Sequence, residues 1–375
     1  MINMIKPLEF AAIELPEFRE VRGKDYVTMG IKNDFPSKLI ELYEGSSIHH
    51  TCIQAKVDGT IGDGIAIIGE EYVNSEGETW NDILEKVALD YMIFGTYALN
   101  VIWNREGSRI AEVYHLSVAN VRSGKLDEMD KVNEYFYSSN WGNTRKYPPI
   151  AYPAFSTTDT KKDNASQIYY CKKYTPGADV YGLPNYMGAL NSIQLDMDIS
   201  IFHASNIANG MFPGLFITLT NGAATPEERS RMYKDLERTF SGSKAAGKMF
   251  LSFVDSPDRA PQVETITPAQ DDYYVILQDR IVNDISTAHR ITSSRLIGIS
   301  DANGFSNNAD EIKVAYSHFY STVIEPIQEH LEKTLGMIAK NMGFNIKFNI
   351  IPSKLDFSDT ITGSENDSNE TIITE

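Results

Sequence analysis

The sequence predicts an α+β fold, with a mixed N-terminal half and a C-terminal half dominated by long helices. Three observations carry that reading. Up to about residue 180, helical and strand periodicities alternate in short segments. Two long amphipathic helices then bracket a compact insert. After a Gly/Ser/Asn loop comes a third long helix with a proline in its middle. Helices so long and so striped usually pack against something outside their own small domain.

In chain order, Asn33-Asp34-Phe35-Pro36 opens a short helix with Leu39, Ile40, Leu42 and Tyr43 apolar. A second helix starts near Ser47 and runs out into Gly59, Gly62 and Gly64. A third spans about Thr79 to Phe94, with Ile83, Val87, Tyr91 and Met92 on one face and Gly95 as its stop. Tyr97–Trp103 and Arg109–Leu116 flank Asn104-Arg105-Glu106-Gly107, which signals a hairpin. Further strands are expected at Glu134–Tyr137 and Gln167–Tyr174, with a surface loop at Ser156–Ser166.

The first long helix starts at Asn185 and carries Leu190, Ile193, Met197, Ile201, Ala204 and Ala208, with Gly210 at its C-terminal stop. In the insert, Gly214–Leu219, Lys248–Val254 and Gln262–Ile266 read as strands, and Thr225-Pro226-Glu227-Glu228 caps a helix. Thr267-Pro268-Ala269-Gln270 announces the second long helix, striped by Tyr274, Leu277, Ile281, Ile285 and Ala288. The third runs from about Ala309, with Ile312, Tyr316, Phe319, Val323, Ile327, Leu331, Leu335 and Ile338 on one face. At 1.5 Å per residue it is roughly 50 Å long. Pro326 removes one backbone hydrogen bond and should bend it. Asn345–Ile351 alternates like an edge strand.

Composition narrows the function. The 375 residues suffice for two or three domains with real cores. No run of 18 apolar residues would span a membrane, and the first residues lack the apolar core and cleavage site of a secretory signal. The two cysteines, Cys52 and Cys171, lie in apolar segments and read as buried thiols in a reducing compartment. The net charge of −17 is the strongest constraint, because a surface that grips phosphate would be basic. Ser358–Glu375 holds five acidic residues and no Lys or Arg, and is expected to be a disordered tail. Taking those five from −17 leaves −12, so the folded body is acidic too.

The chemical motifs mostly dissolve on inspection. Gly242-Ser243-Lys244-Ala245-Ala246-Gly247-Lys248 matches the first seven positions of a phosphate-binding loop, but the eighth is Met249 instead of a magnesium-binding hydroxyl. The segment also runs from a helix into a strand, the reverse of what phosphate binding requires. Gly59-Thr60-Ile61-Gly62-Asp63-Gly64 has its glycines in the wrong order for a dinucleotide fingerprint and reads as a turn leaving a helix. Asp196 and Asp198 are about 200° apart on the helical wheel, so they read as solvated positions. Asp271, Asp272 and Asp279 read as the acidic start of a helix. The seven histidines show no ligand spacing, and no nucleophile elbow is present. The sequence argues against an enzyme and calls for no metal and no cofactor.

An ordered set of segments nevertheless resembles one family across nearly the whole chain. They are Asn33-Asp34-Phe35-Pro36, Phe94-Gly95-Thr96-Tyr97-Ala98, Tyr181-Gly182-Leu183-Pro184, Asn209 to Gly214, Phe240 to Leu251, Arg290 to Gly298, and Ile324-Glu325-Pro326. Together they resemble the portal proteins of tailed bacteriophages, in the broad class of lambdoid and P2-like portals. One departure is Thr292-Ser293-Ser294, where members often show Val-Pro-Pro.

The resemblance implies a portal fold with a mixed α/β wing (1–184), long stem helices (185–210 and 267–290) and a small α/β clip (211–266) that includes Lys244 and Lys248. A tunnel loop (291–308) and a kinked tunnel helix (309–343) would follow, then a C-terminal strand (344–357) returning to the wing and the acidic tail (358–375). It implies a dodecameric ring at one capsid vertex of the virion, assembled in the host cytoplasm. Its partners would be other copies of itself, the large terminase, a head–tail connector or adaptor, the major capsid protein, and double-stranded DNA in the channel. Ser293, Ser294, Arg295, Gly304, Asn307 and Asn308 would face the DNA, Pro326 would mark the kink, and Ile201 and Ala208 would lie between subunits. Arg295 would either face the channel or pair with a carboxylate such as Asp301 or Asp310. The rival readings are another ring or scaffold component of a virion, and a soluble enzyme binding a nucleotide at Gly242–Lys248.

Overall fold

The computed structural model describes residues 16–65, 72–158, 165–208, 215–219, 225, 227, 230–231, 249–253, 271–299, 309–344 and 348–353. It divides into two compact units, Met1–Leu190 with Ile285–Glu375, and Asn191–Asp284.

The first unit is built around a three-stranded antiparallel sheet in which β3 (Thr96–Trp103) lies between β4 (Ile110–Leu116) and β8 (Ser166–Lys172). Tyr97 pairs with Cys171, and Val101 with both Val113 and Gln167. Tyr97, Ala98, Leu99 and Val101 are wholly buried, as a strand covered on both faces must be. A second antiparallel sheet joins β5 (Val121–Ser123), β6 (Glu134–Tyr137) and β7 (Ile150–Pro153), and a ribbon pairs β1 (Phe18–Glu20) with β2 (Val27–Met29). Helices α1 (Phe35–Gly45), α2 (Ser47–Ile61) and α3 (Trp80–Phe94) pack on one another, and Leu39, Ile53, Val57, Ile83 and Val87 on them are buried.

Local chemistry accounts for the element ends. Thr79 and Asp82 form a reciprocal capping box at the start of α3, and Gly95 ends that helix in the left-handed region at φ 71°. In the hairpin, Gly107 donates to the Asn104 carbonyl at 2.9 Å, and the Asn104 side chain accepts from Ser108 N–H at 2.9 Å. Asn33, at φ 61°, accepts through Oδ1 from Met29 N–H at 3.0 Å and from Arg122 Nε at 2.6 Å. Arg122 is 2% exposed and also donates to the carbonyls of Asn33, Ala119 and Val121. Its charge is thus buried among carbonyl oxygens and over the Trp141 ring, 4.9 Å away.

Two segments distant in sequence meet here. A Cβ placed on Gly182 would lie 2.7 Å from the Gly95 carbonyl oxygen, and one on Gly95 would lie 2.3 Å from that of Leu183. Only glycine admits such backbone-to-backbone contact. Tyr181 Oη donates to the Val27 carbonyl at 2.5 Å, and Tyr186 Oη donates to that of Ile93 at 2.5 Å. Both tyrosines are wholly buried and fix the Tyr181–Pro184 segment from either side. With this segment held by those contacts, α4 (Leu190–Ala208) begins after a 3-10 turn at Met187–Ala189 instead of at Asn185.

The second unit contains most of α4, the parallel pair β9 (Leu215–Leu219) and β10 (Met249–Phe253), and α5 (Asp271–Ala288) as far as Asp284. Parallel pairing needs a long crossover, and Glu227, Ser230 and Arg231 in the connection are helical. The strand expected at 262–266, the caps at 225–228 and 267–270, and the acidic tail fall wholly or partly outside the described residues. Along α4, burial fades from Leu190 (3%) and Ile193 (0%) to Ile201, which is 60% exposed.

The third long helix is interrupted. It comprises α6 (Ala309–Phe319), a π-helical turn at Tyr320–Ile324, and α7 (Glu325–Met342) with Pro326 in its first turn. Proline has no N–H, and its ring crowds the carbonyl four residues back. The chain answers with a wider turn in which Glu325 N–H reaches the Tyr320 carbonyl. Phe319, Val323, Leu331, Leu335 and Ile338 are buried, following the stripe seen in the sequence. Of the expected edge strand, residues 345–347 lie outside the described residues; among the described ones Ile350 bridges to Ile65, and Phe348 packs edge-on against Trp80. The C-terminal segment thereby returns to the N-terminal half.

The Gly95–Gly182 contact predicts a specific stability defect. Gly182→Ala should lower unfolding stability by about 1–3 kcal/mol, the usual cost of overpacking. Gly188→Ala, where an added Cβ meets nothing within 4 Å, should change it by less than about 0.5 kcal/mol. Denaturant unfolding of the two variants checks this; equal midpoints would contradict it.

Candidate functional site

The residues assigned to the tunnel begin immediately after α5. Arg290 takes φ 60°, which turns the chain out of the helix. Ser293 caps a 3-10 turn at Ser294–Ile297 by accepting from Arg295 N–H at 3.4 Å, and Gly298 closes it at φ 78°. Thr292 Oγ1 donates to the Ala315 carbonyl at 2.8 Å, so this turn is tied to α6. Arg295 Nη1 lies 3.9 Å from Glu311 Oε2, with the arginine side chain 16% exposed and the glutamate 63% exposed. Among the described residues the carboxylate beside Arg295 is Glu311, at the start of α6; Asp301 and the side chain of Asp310 lie outside them. Gly304, Asn307 and Asn308 lie outside the described residues, as do Lys244 and Lys248. Met249 is the first residue of β10, so the Gly242–Lys248 stretch leads into a strand. Ile201 is exposed on α4, and Ala208 is the last residue of that helix.

Behind the turn, the interrupted helix is held against α2. Gln328 Nε2 donates to the carbonyls of Gly59 at 3.2 Å and Thr60 at 3.1 Å, and Gln328 Oε1 accepts from Tyr320 Oη at 2.7 Å. One side chain, 4% exposed, thus satisfies the end of α2 and braces the π-helical turn. The glycine-rich exit from α2 has a structural use: a Cβ on Gly62 would lie 2.2 Å from the Ile351 carbonyl oxygen. Asp196 and Asp198 lie mid-helix in α4, where Gln194 donates to Asp198 at 2.9 Å.

Sequence reasoning missed a buried polar group beside this helix. His49 Nδ1 and His289 Nε2 lie 2.8 Å apart, 240 residues distant in sequence, and both rings pack on Tyr186. Burial lowers both imidazoles far below their usual range, that of His49 to about 3, so the pair is neutral at pH 7. Two neutral rings share one proton in their mutual hydrogen bond, and one outer nitrogen must carry the other. His49 Nε2 and His289 Nδ1 are both buried without a partner, so an unsatisfied N–H remains in either tautomer. Lys56 of α2 is 4% exposed, and burial lowers its ammonium to about 8. A lysine inside α2 reads as a surface residue; no local signal betrays its burial. Cys52 is free and buried, its thiol pushed up to about 11, and Cys171 lies 3.1 Å from His330 Nε2.

Against known proteins, a model of the phage portal protein family matches residues 74–361. The chain belongs to that family. Over 177 residues it is 28% identical to a probable portal protein of Haemophilus phage HP1 (strain HP1c1), covering 46% of this chain and 49% of that one. An uncharacterized protein of Rickettsia bellii (strain RML369-C) is 24% identical over 228 residues, covering 60% and 54%. The chain therefore spans about half the length of the curated relatives it matches. Among solved structures, the neck of an empty gene transfer agent particle with C6 symmetry aligns at TM-score 0.55 and 15% identity, covering 86% of this chain and 85% of that one. The neck of the native particle with C12 symmetry aligns at 0.54 and 16%, with the same coverage. These likenesses show that the portal-family chain has the α+β fold of those neck subunits.

Lys56 allows a test of this buried group. Its proton affinity is lowered by folding, so between about pH 8 and 10.5 the unfolded chain holds a proton that the folded chain has lost. Stability from this group therefore rises with pH across that window, and its full penalty applies below pH 8. Lys56→Met should raise the unfolding midpoint at pH 7 in a phosphate-free chloride buffer, by up to a few kcal/mol of stability. That advantage over the wild-type chain should shrink as pH rises toward 10. A gain independent of pH would show that Lys56 is not strained by its burial.

Proposed function

We propose that the chain is a portal subunit that closes into a ring at one capsid vertex and conducts the genome during packaging and ejection. Family membership frames this reading, and one observation carries it. The second unit exposes large apolar side chains on both of its long helices: Ile201 (60%) and Phe202 (49%) on α4, and Ile276 (66%) on α5. In a closed ring with head-to-tail interfaces, neighbouring copies would cover them.

In that ring, residues 1–184 form the wing facing the major capsid protein, and α4 and α5 form the stem. The insert 211–266 is the clip, which meets the large terminase during packaging and a head–tail connector afterwards. Residues 291–308 face double-stranded DNA, with the positive charge of Arg295 offset by Glu311 beside it. The interrupted helix is the rigid mount behind them. Net negative charge suits a conduit, because an acidic wall offers a phosphate backbone few places to stick. The subunit would work in the virion after assembly in the host cytoplasm.

Ile201→Asp tests the packing. The side chain is exposed in the isolated subunit, so circular dichroism should be unchanged. A carboxylate buried at every subunit contact is strongly disfavoured, so light scattering should report monomers or small oligomers where the wild-type chain gives a large closed assembly. Assemblies of unchanged mass would refute the stem packing.

A further inference from the structure

Within the first unit is a cavity of about 270 Å³ whose wall combines cations with apolar side chains. Lys56, His289, Arg290, Lys173, Asn185 and His330 supply its polar lining, and Tyr91, Met92, Val323, Pro326 and Ile327 are among the rest. Among the described residues that line it there is no aspartate or glutamate. In a chain of net charge −17, that is the reverse of the average surface.

The cations occupy different depths. Lys56 lies at the floor, 4% exposed, with no hydrogen bond or ion pair to any described residue. Lys173 and Arg290 are exposed at the mouth, and Lys173 Nζ donates to Asn185 Oδ1. His289 contributes the buried, unpartnered Nδ1. A buried ammonium without a counter-charge is costly, and two further cations beside it add repulsion. Folding tolerates such a cluster most readily when an anion completes it.

We propose that this cavity binds a phosphate-class oxyanion. A tetrahedral dianion can accept from the floor ammonium, the lateral ammonium and the guanidinium fork at once, because its oxygens point in four directions. The planar carboxylate of a neighbouring side chain would satisfy the fork and leave Lys56 unpaired. The volume holds one such anion with a few waters, and the apolar wall strengthens each charge-assisted bond by excluding solvent. The phosphate can be free in solution or belong to a nucleic-acid backbone. The inference stands on the first unit alone and does not depend on ring formation.

Calorimetric titration of inorganic phosphate into the full chain, in chloride buffer at pH 7, tests the site. Saturable binding of one phosphate per chain is expected, unmatched by chloride at equal ionic strength. Lys56→Met and, separately, Arg290→Gln should each weaken it at least about tenfold, the loss expected for one charge-assisted hydrogen bond. Arg290 is at the exposed mouth, so that variant keeps the fold even if the floor variant does not. A short DNA duplex added in competition separates the sources. Displacement of phosphate assigns the site to backbone phosphate, and no displacement assigns it to the free anion. No saturable phosphate binding, or binding unchanged in both variants, overturns the proposal. So does self-association that depends on Lys56 without any phosphate effect, which would put a second copy's carboxylate in the cavity.

Discussion

The first unit depends on the hydrogen bonds of Gln328. The last carbonyls of α2 have no partner within their own helix, and at a buried helix end that cost must be met from elsewhere. Gln328 meets it from α7 with one amide, while its carbonyl oxygen holds the Tyr320 hydroxyl of the π-helical turn. Pro326 makes that turn necessary, and the turn places Tyr320 where Gln328 can reach it. The break in the helix and its anchorage to α2 are therefore one device. Ile324 packs near Gly59, and Glu332 accepts from Ile350 N–H at 2.7 Å, so the C-terminal segment is anchored by the same helix.

A rigid mount has a consequence for the residues before it. Thr292 is bonded to α6, and Arg295 lies beside Glu311, so the chain leaving α5 is attached at its first turn. The acidic body and the cationic cavity divide the electrostatics in a similar way. In the proposed conduit, average repulsion would keep nucleic acid from sticking, while the cavity lined by Lys56, Lys173 and Arg290 gathers positive charge at one place.

Elements whose causes are local were legible in the sequence. The span of α3 with its Gly95 stop, the Asn104–Gly107 hairpin and the interruption at Pro326 all follow from residues within a few positions of one another. The start of α4 was not, because Gly182, Gly95 and Tyr186 hold the preceding segment by contacts that helix propensity does not register. Three of the segments that carried the family resemblance, those at Asn33, Gly95 and Tyr181–Leu183, are packing devices. Asn33 receives Arg122, and Gly95 receives Gly182 and Leu183. The His49–His289 pair and the burial of Lys56 had no sequence signal, since each arises from segments brought together only by the fold. The burial along α4 shows the opposite limit: of the expected stripe Leu190 and Ile193 are buried, while Ile201 and Ala204 are exposed.

The central claim is that copies of this chain close on one another around a channel. Class-averaged electron micrographs of the purified chain test it most directly. The account predicts closed rings of uniform size with a central hole wide enough for duplex DNA. Solitary subunits at every concentration, or open filaments that never close, would contradict it.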